Sequence, residues 1–307
     1  MTRDPVPWLL DPINPSARWL TLRDIFQRPV AELGREREAL LAWAPVQTLM
    51  AQADSHNFWS RATDPYFGGP LGTFGTLYAL AQADVPSFPI AERASESLFS
   101  AGQSADGRFA LSTPGPQIWL CYTGMALQIL WHFGWGEDPR TDAARAILVQ
   151  IINQLPARLT CPLVGDRCAP GEAKALAGLL SIPAERRKAA DNDAIAKLAE
   201  RLLTQFGKQE QDSQWQPSNF PRYYGSDIIE LTYLLARAGW HTHPRFRELL
   251  QELLTLQTAQ GRWCKDRGSG GYLDVEPVYQ PSRWLTWQAV VTLIMVYGQA
   301  ENPYATP

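Results

Sequence analysis

The chain has 307 residues, 45% of them hydrophobic and 19% charged, so one large core can form and a disordered chain is excluded. Lys plus Arg number 28 against 31 Asp plus Glu, a formal charge of −3, which argues against a nucleic-acid binder with its basic stripe. No apolar run reaches the ~18 residues of a membrane span, and residues 1–7 hold no apolar signal segment, so a cytoplasmic protein with a single domain over 1–307 is expected.

Apolar residues at helical spacing predict short helices, buried on most faces, over 16–27, 72–83, 121–133, 171–181, 226–238 and 282–297. Between them lie longer, more charged helical stretches at 30–53, 90–101, 139–154, 183–206 and 244–258, with Pro139, Pro183 and Pro244 at or near their first turns. Residues 55–69 and 207–221 read as polar, aromatic, Pro/Gly-rich loops, and 267–271 as a Gly/Ser turn. Strand signals are nearly absent. The alternation predicts inner helices wrapped by outer ones.

Three motifs recur. Gly134-Trp135 with Pro139-Arg140 returns as Gly239-Trp240 with Pro244-Arg245. Gln103 to Phe109 returns as Gln257 to Trp263, and Pro15-Ser16-Ala17-Arg18-Trp19-Leu20-Thr21 is similar to Pro281-Ser282-Arg283-Trp284-Leu285-Thr286. All three spacings are whole multiples of about 52 residues, the signature of a helical-hairpin repeat. Because the chain starts and ends on look-alike inner segments, the array is expected to close on itself. The fold class is therefore all-α, an (α/α) toroid of about six helical hairpins in a closed ring.

The pattern Gln-x-x-(Asp/Gln)-Gly-Arg-(Phe/Trp) at 103–109 and 257–263 resembles the glutamine–tryptophan motif of squalene–hopene cyclases and their relatives. Over most of its length the chain is similar to α/α toroids of the terpene cyclase and protein prenyltransferase β-subunit type, in particular single-ring bacterial proteins of unassigned role. The resemblance implies a ring whose central cavity takes an apolar, isoprenoid-like substrate, as a divergent cyclase or prenyltransferase. The alternative is a non-catalytic ligand-binding or scaffold toroid. The family's catalytic signatures are not reproduced. The one Asp-x-Asp, Asp191-Asn192-Asp193, continues with Ala194 and reads as a solvated outer face; no Asp-Asp-x-x-Asp occurs; and Ile229 stands where a zinc-binding prenyltransferase has cysteine beside Asp227. Whether the protein is an enzyme stays open.

Candidate site residues gather at the starts of the inner helices, which share one mouth. Trp119, Tyr122, Arg222, Tyr223 and Trp284 are candidate substrate contacts, since aromatic faces serve both cations and polycyclic hydrocarbons. Core packing is the competing account for each of them. Asp227 is a candidate general acid, positioned by Tyr224 or Arg222, with a capping box through Glu230 as its alternative. Cys121, Cys161 and Cys168 fall at or before inner helices of adjacent repeats and are candidate metal ligands. Zinc or iron would suit such thiolates; buried free thiols without any cofactor are the alternative. His132, His241 and His243 read as ordinary packing or surface residues.

Overall fold

The computed structural model describes residues 4–54, 56, 58–60, 64–109, 120–154, 160–161, 165–166, 168–206 and 215–298. The side chains of 154, 160–161 and 165–166 are outside that description. Thirteen α-helices occur among these residues, with two antiparallel pairs of two-residue strands. After a short α1 (Val6–Leu9), the inner wall comprises α2 (Pro15–Leu20), α5 (Thr73–Gln82), α7 (Leu120–His132), α9 (Ala169–Leu180), α11 (Ile228–Arg237) and α13 (Arg283–Tyr297). The outer layer comprises α3 (Gly34–Leu41), α4 (Ala44–Gln52), α6 (Pro89–Gly102), α8 (Pro139–Gln154), α10 (Ala189–Gln205) and α12 (Phe246–Thr255).

Sequence composition explains the two layers. Every residue from Thr73 to Leu80, from Leu120 to Leu127 and from Gly171 to Leu180 is buried, because these helices meet protein on all sides. In α10, burial falls on Ala194, Ile195, Leu198, Ala199, Leu202 and Leu203, the three-and-four spacing of a helix with one wet face. Successive inner helices pack on one another, α5 on α7, α7 on α9, α9 on α11, α11 on α13 and α13 on α2. The α7–α9 contact is close enough that a Cβ on Gly124 would lie 2.3 Å from the Lys174 carbonyl oxygen, and one on Gly178 2.4 Å from that of Gly124.

The ring closes through side chains. The Trp284 indole donates to Ser16 Oγ (2.7 Å), and Ser16 in turn donates to the Ala83 carbonyl (2.5 Å), tying α13 to α2 and α2 to the end of α5. Asn14 donates to Glu276 (3.2 Å), and the Trp8 ring lies between the guanidiniums of Arg262 (4.1 Å) and Arg283 (4.4 Å).

The repeated motif is a mechanical staple. Gln103 pairs with Phe109, and Gln257 with Trp263, in isolated β-bridges, with Gly107 (φ +93°) and Gly261 (φ +75°) supplying the left-handed turn. Each motif then hooks the next inner helix: the amide of Phe109 donates to Thr123 Oγ1 (3.2 Å) and that of Trp263 to Thr286 Oγ1 (3.0 Å). A third copy escapes sequence comparison. The Trp59 amide donates to Thr73 Oγ1 (3.1 Å) and its indole to Leu49 O (2.7 Å), as the Trp263 indole does to Leu253 O (2.7 Å).

Three expectations need correction. The stretch 30–53 is not one helix, because Pro45 cannot continue α3 and instead begins α4. Pro183 opens a 3₁₀ turn (Ala184–Arg186), and the outer helix starts only at Ala189. Asp191 is not on a solvated face. It is 2% exposed, accepts from the Lys188 amide (2.6 Å) as part of a capping box, and pairs with Arg145 (3.1 Å). Within the triplet 191–193 only Asp191 turns inward, and Asn192 and Asp193 are exposed.

Candidate functional site

At the amino ends of the inner helices the aromatic residues pack largely on each other. Tyr122, at the start of α7, meets the Tyr66 ring edge-on (4.6 Å) and the Tyr224 ring edge-on (5.4 Å), and the Tyr122 and Tyr224 hydroxyls are in direct contact. Tyr223 joins through Tyr224 (4.6 Å), and Phe74 through Tyr66 (4.8 Å). Burial pushes the Tyr66, Tyr223 and Tyr224 phenols up, so they act as neutral hydrogen-bonding groups. Trp284 is fully buried at the ring seam, stacked on Phe220 (4.7 Å). Trp119 lies outside the described residues.

Two candidate cysteines lie near Gly171 at this end. Cys168 is the N-cap of α9, its sulfur accepting from the Gly171 amide at 3.3 Å. A Cβ on Gly171 would lie 3.1 Å from that sulfur and 4.0 Å from Cys121 Cβ, so both cysteines border one small gap. The Cys161 side chain lies outside the described residues. Among the described residues no group of three His, Cys, Asp or Glu side chains could hold a metal ion.

Beneath the aromatic cluster a buried ionic layer crosses the ring axis. Arg222 clasps Asp227 with two parallel bonds (Nε–Oδ2 2.7 Å, Nη2–Oδ1 2.8 Å) and gives its third nitrogen to Gln288 on α13 (2.9 Å). Gln82 on α5 reads the Arg222 backbone at both ends, donating to its carbonyl (2.6 Å) and accepting from its amide (3.0 Å). Lys174 on α9 gives 2.8 Å bonds to both oxygens of Glu230 on α11. Burial opposes the charge on both cations. It leaves Lys174 lowered, whereas for Arg222 the Asp227 and Glu230 carboxylates outweigh burial and raise it. Asp227 caps α11 by accepting from the Glu230 amide (2.9 Å) and also accepts from the Asn219 amide (3.3 Å). Its environment is that of a helix N-cap, the Asp227 half of the capping box weighed as its alternative, and in addition that of an ion-pair partner of Arg222.

A cavity lies on the other side of this layer, away from the amino-end aromatic cluster. Its volume is about 690 Å³, and all six inner segments contribute to its wall. Glu230, Gln82, Gln128 and Gln288 form the deep end, where the ionic layer serves as floor. Trp131, Trp287 and Tyr233 supply aromatic surface, the last two rings 5.5 Å apart. Arg23, Asp24, Asp84, His132 and Arg237 supply charge or polarity. Arg23 holds Asp24 (Nε–Oδ1 2.6 Å) and contacts Asp84, whose carboxylate also accepts from the Trp19 indole (2.6 Å). The His132 ring bonds the Val85 carbonyl through Nε2 (2.7 Å) and faces Asp84 with Nδ1 (3.6 Å).

Backbone irregularity concentrates here. Arg23 and Asp24 sit on a π-helical turn, Thr21–Ile25, that continues α2. Gln27 (φ +53°) and Asp84 (φ +52°), both lining the cavity, are in the left-handed region that non-glycine residues rarely adopt. Such features persist only when the surroundings over-determine them, and they cluster at functional sites.

None of Tyr122, Arg222, Tyr223, Tyr224 and Trp284 lines this cavity. Sequence reasoning looked at helix starts and missed the residues farther along. The available signal was a long polar side chain inside an apolar inner run, such as Gln128 in α7, Glu230 in α11 and Gln288 in α13.

No family model matches the sequence, nor does any curated protein sequence. Among solved structures, an unsaturated glucuronyl hydrolase specific for heparin superposes with a TM-score of 0.53 over 96% of this chain and 87% of that one, at 12% identity. The type II terpene cyclase MstE from Scytonema, bound to its substrate geranylgeranyl dihydroxybenzoate, gives a TM-score of 0.34 over 87% of this chain and 99% of that one, at 14% identity. At 12% identity the likeness to the glucuronyl hydrolase is one of fold alone, the α/α toroid.

Proposed function

We propose that the protein binds a polar, hydroxylated small molecule in the cavity beyond the ionic layer. The observation that carries this reading is the wall itself. Amides (Gln82, Gln128, Gln288) and ionised groups (Arg23, Asp24, Asp84, Glu230, Arg237) share the wall with aromatic and aliphatic side chains, so the lining is as polar as it is apolar. Flat aromatic faces pack against C–H faces while directed polar groups fix hydroxyls, the usual division of labour in a small-molecule pocket, and the volume is in the usual range for one. A bare hydrocarbon there would displace water from the charged side chains of the wall, such as Arg237 and Asp84, without replacing its hydrogen bonds, at a cost of order 1–3 kcal/mol for each such group.

A second reading follows the resemblance. The packed tyrosines at the amino ends favour an isoprenoid ligand held there, between Tyr66, Tyr122, Tyr223 and Tyr224, by a divergent cyclase, a transferase or a carrier. Titration with two ligand panels, saccharides and polyols against prenyl alcohols and prenyl diphosphates, separates the two, with tryptophan fluorescence as readout. Saturable quenching by a hydroxylated ligand, abolished by Trp287→Leu, supports the cavity. Binding confined to prenyl ligands, insensitive to Trp287→Leu and lost in Tyr224→Ala, overturns it in favour of the amino-end site.

A further inference from the structure

The floor of the cavity is built on four buried ions, yet it shows the cavity only one of them. In the Lys174–Glu230 pair the ammonium is fully buried, while the Glu230 side chain keeps 7% exposure and lines the cavity. Arg222 and Asp227, each 1% exposed, are not part of the lining. The two pairs cancel in charge. What faces inward is a carboxylate whose oxygens each take one bond from Lys174 (2.8 Å) and keep a further lone pair.

Two glutamines of the lining hold hydrogen-bonding capacity in reserve. Gln288 on α13 spends Oε1 on Arg222 Nη1 (2.9 Å). A guanidinium can only donate, so the orientation of this amide is fixed and both hydrogens of Nε2 are left over. Gln128 on α7 spends Nε2 on the Tyr78 hydroxyl (3.2 Å), which leaves Oε1 over. Neither Gln288 Nε2 nor Gln128 Oε1 has a partner among the described residues, and neither is sealed from solvent as the indole nitrogens of Trp131 and Trp287 are. Gln82, the third amide, is spent at both ends on the Arg222 backbone. The three receptive groups are gathered around one buried centre. Arg222 Nε lies 3.8 Å from Glu230 while Nη1 holds Gln288, and Lys174 Nζ lies 5.8 Å from the centre of the Tyr78 ring that holds Gln128.

The floor therefore offers two acceptors, Glu230 and Gln128 Oε1, and one donor group, Gln288 Nε2. Two acceptors need two ligand hydrogens, and the donor needs a ligand lone pair. A hydroxyl supplies both kinds, so two hydroxyls complete the set. A carboxylate or phosphate brings acceptors alone and would meet Glu230. An ammonium brings no lone pair for Gln288 and would approach Lys174 and Arg222. We infer that the floor reads a neutral diol, two hydroxyls of one saccharide, with Gln128, Gln288 and Glu230 as specificity-determining residues. This inference rests on the cavity being the ligand site, and it adds which groups of the ligand lie deepest.

The probes are glucose, galactose and mannose, followed by the monodeoxy analogues and the 2-amino analogue of the sugar that binds most tightly. Dissociation constants are measured by calorimetry on the full chain and on Gln128→Met, Gln288→Glu and Trp287→Leu, with melting curves to establish that each variant is folded. Gln288→Glu keeps the acceptor for Arg222 and removes only the donor. Loss of either floor hydroxyl should weaken binding to the wild type roughly five- to a hundredfold, the range for stranding one buried partner. Gln128→Met and Gln288→Glu should each cost a similar factor. The deoxy analogue that lacks the hydroxyl read by Gln128 should bind Gln128→Met as well as it binds the wild type, which a merely structural role would not produce. Tighter binding of the amino sugar than of its parent overturns the neutral diol. Deoxy analogues and both glutamine variants that match the parent, with binding lost only in Trp287→Leu, overturn the floor assignment and leave the cavity reading intact. Failure of all three sugars to bind the wild type counts against the cavity reading itself.

Discussion

At the amino ends of the inner helices, Tyr66, Tyr122 and Tyr224 spend their surfaces on one another, whereas Trp131, Tyr233 and Trp287, farther along their helices, turn part of theirs to a cavity. The same helices thus build one packed end and one end with an open cavity, with the Arg222–Asp227 and Lys174–Glu230 pairs between them. The difference teaches that aromatic content does not locate a site. What distinguishes the two ends is packing: at one the rings fill the space between them, and at the other about 690 Å³ stays open.

The comparison breaks most visibly at the floor. Glu230→Leu strands Lys174, a fully buried ammonium, and should lower unfolding free energy by about 3–5 kcal/mol in chemical denaturation. The double variant Lys174→Met/Glu230→Leu should recover most of that loss, because it removes both charges. If the single variant is as stable as the wild type, the ionic layer is not the divider described here.

Next in size is the helix contact that sets the ring's width. Gly124→Ala pushes a methyl against the α9 backbone at Lys174 and should cost about 1–3 kcal/mol, read as a lowered melting temperature. An unchanged melting temperature would mean that α7 and α9 can separate without loss.

A smaller effect sharpens the contrast between the ends. Tyr122→Phe removes the hydroxyl that meets Tyr224 and should cost about 1 kcal/mol. Ligand affinity at the cavity should be unaffected, since the ionic layer lies between; a tenfold change in affinity would show the two ends to be coupled.

The smallest effect belongs to the seam that both ends share. Burial raises the Glu276 carboxyl above the ordinary carboxylate value, although Ser282, Arg283 and Lys265 oppose it. Between the ordinary and the raised value the folded chain holds a proton that the unfolded chain has lost, so stability falls as pH rises through that window. Glu276→Gln should flatten this part of the stability profile. A slope identical to that of the wild type assigns the titration to another group.

Much of the ring was legible because a repeat writes itself into the chain. Gln103 to Phe109 and Gln257 to Trp263 announced the period, and the staples they form are alike down to the threonine they hook. The Trp59 staple was invisible because its geometry survives without the surrounding Gln and Arg. Asp227 showed its cap through the spacing to Glu230, yet nothing local revealed that Glu230 itself turns to Lys174, 56 positions away in the chain.

By itself the sequence determined an all-α ring, its two layers and its closure, because helical periodicity and turn residues act over a few positions and the repeat multiplies them. Only the tertiary structure decided which end holds the cavity and which polar groups there remain unpaired. Satisfaction of a buried donor depends on atoms from other helices, brought within about 3 Å by packing, and no local pattern encodes that distance.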